Sequence, residues 1–387
     1  MHLLIDCTLL SVGGGVQAGL SVVHNAIREP GLKVSLFCSP QIAAQLGNEE
    51  KSLLHYYEII NYSRYLGKPL LARRMSLMES ILSPDVVFSV FGPSYWRSRA
   101  INLQGFALGK MLYPEEKVNY STPLESIFYS AFDYFKKHLI FKNCDYLVVE
   151  TTTIKLKLSK VLQYPLERIY VVENSYSPSF AERCSFGSQK KRTDLSFFRI
   201  LVPASFYNHK NLEIIPSVCA MLRSFGRNDI RFICTLDTNS KGWIHLAHKA
   251  KRQGVSHMIE TAGNVPNRLI ADLYLDSHAV MCMSFVESST AVFPETFLAG
   301  RPLLASDRDF ARNLCLDGAL YFDPLSPESI ANQIIKLHDD MTLRMKIIEA
   351  GKVALKKNYP SPEEKWAKQF HVLNEVLNLP RPKRGKV

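Results

Sequence analysis

Two glutamates set the chemistry that this sequence can support. Glu287 and Glu295 are separated by seven residues in FVESSTAVFPETFLAG. Glu287 follows the apolar run HAVMCMS, where the reading places a strand end and a helix start. Two helical turns on, Glu295 is expected on roughly the same face. Carboxylates so placed can take hydroxyls on two parts of one extended ligand. Between them, the amides of Ser289, Thr290 and Ala291 fall where a first helical turn leaves N–H groups free for phosphate oxygens. A capping glutamate followed by an exposed helical one fits the same spacing.

Two other segments could meet an anion. Lys210 closes SFYNHK before a helix, where an ammonium could face a diphosphate or simply solvent. Gly13, Gly14 and Gly15 lie after the first apolar run and before a helical stretch. Glycines there let backbone approach a phosphate, or merely make a tight turn. The spacing is not G-x-G-x-x-G, and the second strand ends SLFCSP with no acid, which disfavours a dinucleotide fold.

The elements that must position these residues follow a repeating pattern. Short β-branched runs alternate with amphipathic stretches: HLLIDC, KVSLFCS, DVVFSVF, INLQ, DYLVVE and RIYVVEN, then RILVPAS, IRFICTL, HMIET, HAVMCMS, PLLAS and ALYFD. Near-continuous apolar runs suit parallel strands covered on both faces, joined by right-handed helical crossovers. The reading is α/β, with two Rossmann-like doubly wound domains facing a cleft. Residues 1–176 form the first, 177–197 a polar linker, 198–361 the second, and 362–387 a helix, expected to cross back, with a basic tail. Ligands of such sheets gather at the carboxyl ends of the strands.

Composition narrows the partners. The 387 residues carry 47 Lys and Arg against 36 Asp and Glu, a formal charge of +11. That sign favours anionic partners. Eight cysteines form no C-x-x-C, so the reading is reduced, buried thiols rather than a zinc or dithiol site. The start MHLLIDC lacks a basic n-region, and no run reaches ~18 apolar residues. The expected setting is cytoplasmic, with peripheral contact at the inner face of the plasma membrane.

The ordered set GNVPNRLIADLY, SFVESSTAVFPETFLAGRPLLAS and GALYFDPLSPESIANQI, over residues 263–333, resembles the donor half of family-4 retaining glycosyltransferases of GT-B fold. The HKN segment, VVENSYSPSF and the N-terminal glycines extend the likeness along most of the chain. The resemblance implies transfer of a sugar from a nucleoside-diphosphate donor with retention of configuration and no metal or other cofactor. Glu295 would hold the ribose hydroxyls and Glu287 the donor sugar. Lys210, Gly14 and Gly15 would neutralise the diphosphate, with Ser205, Val265, Ser289, Thr290 and Ala291 lining the donor.

Three positions depart from the family pattern. Ser205 replaces an arginine, Ser288-Ser289-Thr290 replaces a glycine-rich stretch, and Gln104 stands where many members place a histidine near the sugar. Glutamine can bond a hydroxyl but does not titrate near neutrality.

Acceptor recognition is expected from the first domain. Tyr95, Trp96 and Arg97 follow a strand; aromatics stack on sugars and guanidinium groups meet phosphates. The aromatic and basic stretch 124–142 is read as a buried helix with a basic edge or one lying on an anionic membrane. The acceptor would be a saccharide or lipid-linked saccharide, in bacterial surface polysaccharide or lipopolysaccharide assembly, without nucleic acid. A sugar-nucleotide epimerase of similar fold, or a non-catalytic membrane- or nucleic-acid-binding relative, are the alternatives.

Overall fold

The computed structural model describes residues 1–11, 13–61, 68–113, 123–187 and 196–382; side chains at 68, 123–132, 186–187 and 267–268 are also outside the description. The chain divides into two units. The first holds Met1–Asn174 and Ser361–Val387, the second Ser175–Pro360.

The first unit is a seven-stranded parallel sheet. Its strands are β1 (His2–Cys7), β2 (Lys33–Cys38), β3 (Tyr56–Ile59), β4 (Val86–Ser89), β5 (Ile101–Gly105), β6 (Tyr146–Val149) and β7 (Ile169–Val171). They lie in the order β3-β2-β1-β4-β5-β6-β7. Alternation along β1 shows why both faces are covered. Leu3, Ile5 and Cys7 enter one core, and Leu4 enters the opposite one with Phe37, Val87 and Trp96. β3 is absent from the sequence expectation, because YYEI at the sheet edge alternates half-buried and exposed residues and lacks the apolar run of a central strand.

The second unit repeats the plan with β8 (Phe198–Val202), β9 (Ile230–Cys234), β10 (Ile259–Thr261), β11 (Ala279–Cys282), β12 (Leu303–Ser306) and β13 (Ala319–Phe322). Their order is β10-β9-β8-β11-β12-β13, again all parallel. Each sheet is doubly wound, as expected from the alternation.

The C-terminal helix Pro362–Leu377 belongs to the first unit. Its start is a capping box: Glu364 N donates to Ser361 Oγ at 3.2 Å, and Ser361 N to Glu364 Oε2 at 2.8 Å. Trp366, Val372, Leu373 and Val376 pack beside Leu20 and Val23 of the helix Gly13–Ala26. Trp366 Nε1 also reaches Glu29 Oε2 at 2.7 Å. Burying each large apolar side chain is worth about 1.5–3 kcal/mol, which fixes the helix there.

The segment read as a linker is in part structured. Pro178–Gly187 is a helix of the second unit. Phe180 is fully buried against the Tyr274 ring, edge-on at 5.2 Å. Arg183 Nε donates to Asp272 Oδ1 at 2.7 Å. Pro178 and Gly187 sit at its two ends, where both are compatible with a helix. Residues 188–195 of that expected linker, and 383–387 of the basic tail, lie outside the described residues.

Candidate active site

The order of the second sheet reverses between β8 and β11, which are neighbours. Loops leaving the carboxyl ends of such a pair diverge and leave a crevice. One of these loops carries Lys210 and the other Glu287. The Phe285 amide donates to the His209 carbonyl at 2.8 Å, clamping the two loops together. Lys210 Nζ forms an ion pair with Glu287 Oε1. Their side chains are 18% and 7% exposed. Ser284 Oγ donates to the same carboxylate oxygen at 2.5 Å. Burial, the largest single influence, pulls the Lys210 ammonium down, but the Glu287 carboxylate, with smaller contributions from Cys282 and Tyr207, more than offsets it and the net shift is upward.

Local backbone differs from the expectation. Lys210 ends a 3-10 turn, Asn208–Lys210, and Asn211 follows with φ +56°. Asn tolerates this left-handed conformation, and its Nδ2 donates to the Pro324 carbonyl at 2.7 Å. Glu287 is not on a helix. Residues 283–291 are irregular, and the helix runs only from Val292 to Leu298. The two acids therefore share a loop-and-helix segment, not a helix face. Glu287 is held by the neighbouring loop, while Glu295 is held from the helix Asn267–Asp276.

Glu295 Oε2 accepts from the buried Tyr274 hydroxyl at 2.9 Å. Burial pushes the Glu295 carboxyl up to about 7, although the Tyr274 hydrogen bond favours its ionised form. Burial also pushes the Tyr274 phenol upward, so it stays a donor. Sequence reading missed Tyr274 and Ser284 as site residues. Tyr274 had a signal, since it closes the GNVPNRLIADLY motif that carries the resemblance; Ser284 had none beyond its place just after a strand end.

The turn between the acids is built to donate. The amides of Ser288, Ser289, Thr290 and Ala291 donate to no atom among the described residues. The Thr290 hydroxyl instead accepts from the Val292 amide at 3.3 Å. The Ser289 hydroxyl is buried without a partner among the described residues. Unmatched buried polar groups cost free energy unless a ligand meets them. Ser205 is exposed on the loop after β8, and Val265 is half-buried in the turn after β10.

In the first unit the sheet order reverses between β1 and β4. Gly14 and Gly15 follow β1 at the start of the Gly13–Ala26 helix, with Gly14 exposed and no atom where its Cβ would be. Tyr95 is half-buried, and Arg97 Nη1 donates to the Lys142 carbonyl at 2.9 Å.

Two expectations need correction. Gln104 is fully buried and presents no surface to a sugar, and its Nε2 has no partner among the described residues. Its Oε1 accepts from the Ser94 amide at 2.9 Å, and a Cβ on Gly92 would come within 2.1 Å of its carboxamide. It braces the loop after β4. Trp96 is 2% exposed, and its Nε1 donates to Asp6 Oδ2 at 2.9 Å. It is a core residue satisfying a buried carboxylate, not a stacking platform. Of the stretch 124–142, the side chains of 124–132 lie outside the described residues; Tyr134 is exposed and Leu139 and Ile140 are buried.

Residues 188–354 match the family model described as Glycosyl transferases group 1. The second unit carries a glycosyltransferase domain. Both acids, Lys210, Tyr274 and the donating turn fall within it. No curated protein matches the chain. Among solved structures, a glycosyltransferase from Rickettsia africae is 15% identical, with TM-score 0.73 over 97% of this chain and 98% of that one. HepE of Anabaena, in complex with UDP and glucose, is 14% identical, with TM-score 0.71 over 97% and 100%. WaaG, a glycosyltransferase involved in lipopolysaccharide biosynthesis, is 15% identical, with TM-score 0.67 over 96% and 99%. At these identities the likeness shows the fold, which is GT-B-like. Among the described residues no helix is long and apolar enough to cross a membrane.

Proposed function

We propose that the glycosyltransferase domain binds a nucleoside-diphosphate sugar and transfers the sugar, with retained configuration, to a saccharide or lipid-linked acceptor in surface polysaccharide assembly. The observation that carries this reading is the buried Lys210–Glu287 pair beside a turn of unpaired amides. A cation and free N–H groups converging at a sheet switch point suit a diphosphate.

In this reading Glu295, oriented by Tyr274, accepts the two ribose hydroxyls. Glu287 accepts from a donor-sugar hydroxyl. Lys210 and the amides of Ser288 to Ala291 take the charge that grows on the diphosphate as the glycosidic bond breaks. Attack from the same face, with the departing phosphate taking the acceptor proton, gives retention. Tyr95 and Arg97 remain acceptor candidates, and Gly14 and Gly15 keep their proposed anion contact. HepE in complex with UDP-glucose makes uridine the base to test first.

The test is to incubate the full chain with UDP-sugars and candidate acceptors, reading UDP release and the anomeric configuration of the product by NMR. An α-linked product from an α-linked donor supports the reading. An inverted product removes the retaining mechanism, and free epimer formed without acceptor assigns an epimerase instead.

A further inference from the structure

The helix Lys68–Leu82 of the first unit is apolar on two opposite faces. Leu71 and Met75 pack into the core against Leu4, Phe37 and Val87. On the far side Leu70, Leu77 and Ile81 are 53%, 59% and 67% exposed. At 100° per residue these three fall within about 40° of one another, a stripe ~16 Å long. The outward face of a surface helix ordinarily carries polar groups.

Among the described residues, the uncompensated charge on this face is a single cation, Arg73. Arg73 and Arg74 flank the stripe. Arg73 is exposed and has no partner among the described residues, while Arg74 reaches Glu58 Oε1 at 2.5 Å. The one acid of the helix, Glu79, is 2% exposed and turned inward, accepting from the amides of Arg99 and Ala100 at 2.7 and 2.9 Å.

We propose that this face docks the protein on an anionic bilayer. Leu70, Leu77 and Ile81 enter the boundary between headgroups and acyl chains, and Arg73 meets lipid phosphates. A second copy of the chain is a poorer occupant. A two-fold contact would set the stripe against itself and bring the uncompensated Arg73 of each copy to the same seam. The chain's +11 charge acts in the same direction as the arginines. The inference deepens the lipid-linked acceptor reading of the proposed function, and it assigns a membrane contact to this helix.

The test is co-sedimentation of the full chain with phosphatidylcholine vesicles, with and without roughly 30% phosphatidylglycerol. Wild type should partition at least about tenfold more strongly onto the anionic vesicles. Leu77→Glu/Ile81→Glu should weaken that binding at least about tenfold. Arg73→Glu, which leaves the stripe intact, should weaken it on anionic vesicles only. Met345→Glu, at a 51% exposed methionine of the second unit, should leave it unchanged. UDP release in vesicle-free buffer should be unaffected in all variants. Equal binding by wild type and the double variant overturns the proposal, as does equal loss in Met345→Glu. A dimer in ultracentrifugation that the double variant dissociates assigns the face to a second copy. Vesicle binding with this pattern but no donor turnover leaves the docking intact and removes the functional reading.

Discussion

Lys210 and Glu287, 77 residues apart, close a buried ion pair at the point where the second sheet reverses its strand order. Neither side chain is placed by its own segment alone. The parallel pairing of β8 with β11 brings their loops together, and the Phe285 amide to His209 carbonyl bond fixes them in register.

Breaking that pair is costly. Lys210→Met leaves the Glu287 carboxylate buried with only the Ser284 hydroxyl. The expected loss is about 3 kcal/mol, the low end for removing one partner of a buried pair. Lys210→Met/Glu287→Gln should recover at least half of it, since no charge is left uncompensated. Urea denaturation of the two variants measures this; a double variant less stable than the single one would contradict it.

Glu295 should make stability fall as pH rises. Its carboxyl sits at about 7 in the folded chain, against an ordinary value of 4.5. Between these values the folded state holds a proton that the unfolded state has lost. The contribution is therefore fully present below about pH 4.5 and gone above about pH 7, on the order of 3 kcal/mol in all. Glu295→Gln keeps an acceptor for Tyr274 and removes the titration. It should be more stable than wild type at pH 8 and no more stable at pH 4, as read by thermal unfolding at both.

Trp96 is a test of structure against recognition. Trp96→Phe removes the indole N–H from Asp6, whose carboxyl burial already pushes up. The Thr8 hydroxyl and amide remain on Asp6 Oδ1. The expected cost is about 1–3 kcal/mol, with acceptor KM unchanged. A raised KM at wild-type stability would return Trp96 to the acceptor site.

The sheets and the acidic segment were legible for one physical reason: central parallel strands are apolar on both faces, and the loops after them carry the chemistry. What escaped depends on tertiary pairing. β3 sits at an edge, so its alternation hides it. The Pro178–Gly187 helix reads as polar linker because its apolar content, Phe180 and Cys184, finds a core only once Tyr274 is in place. Glu287 looked helical because sequence spacing does not reveal that the helix begins at Val292. Gln104 and Trp96 look functional by type and place at strand ends, yet Gln104 is fully buried with its Oε1 taken by the Ser94 amide, and the Trp96 indole N–H is taken by Asp6.

Gly14 separates packing from ligand approach. It lies in the first turn of a helix, with open space where a Cβ would stand. Gly14→Ala should therefore raise stability by about 0.5–1 kcal/mol. If the backbone there approaches a diphosphate, the same change should cut turnover at least about tenfold, which is ~1.4 kcal/mol in the barrier. Paired unfolding and turnover measurements read both effects; unchanged turnover would remove Gly14 from the site.

The central claim is that the acidic segment and its lysine grip a nucleoside diphosphate. Calorimetric titration of UDP at pH 8 into wild type and Glu295→Gln tests it most directly. The expected result is UDP binding by wild type that weakens at least about tenfold in the variant, from loss of a charged acceptor for the ribose hydroxyls, while the variant unfolds at no lower temperature. Affinities within twofold of each other would contradict it.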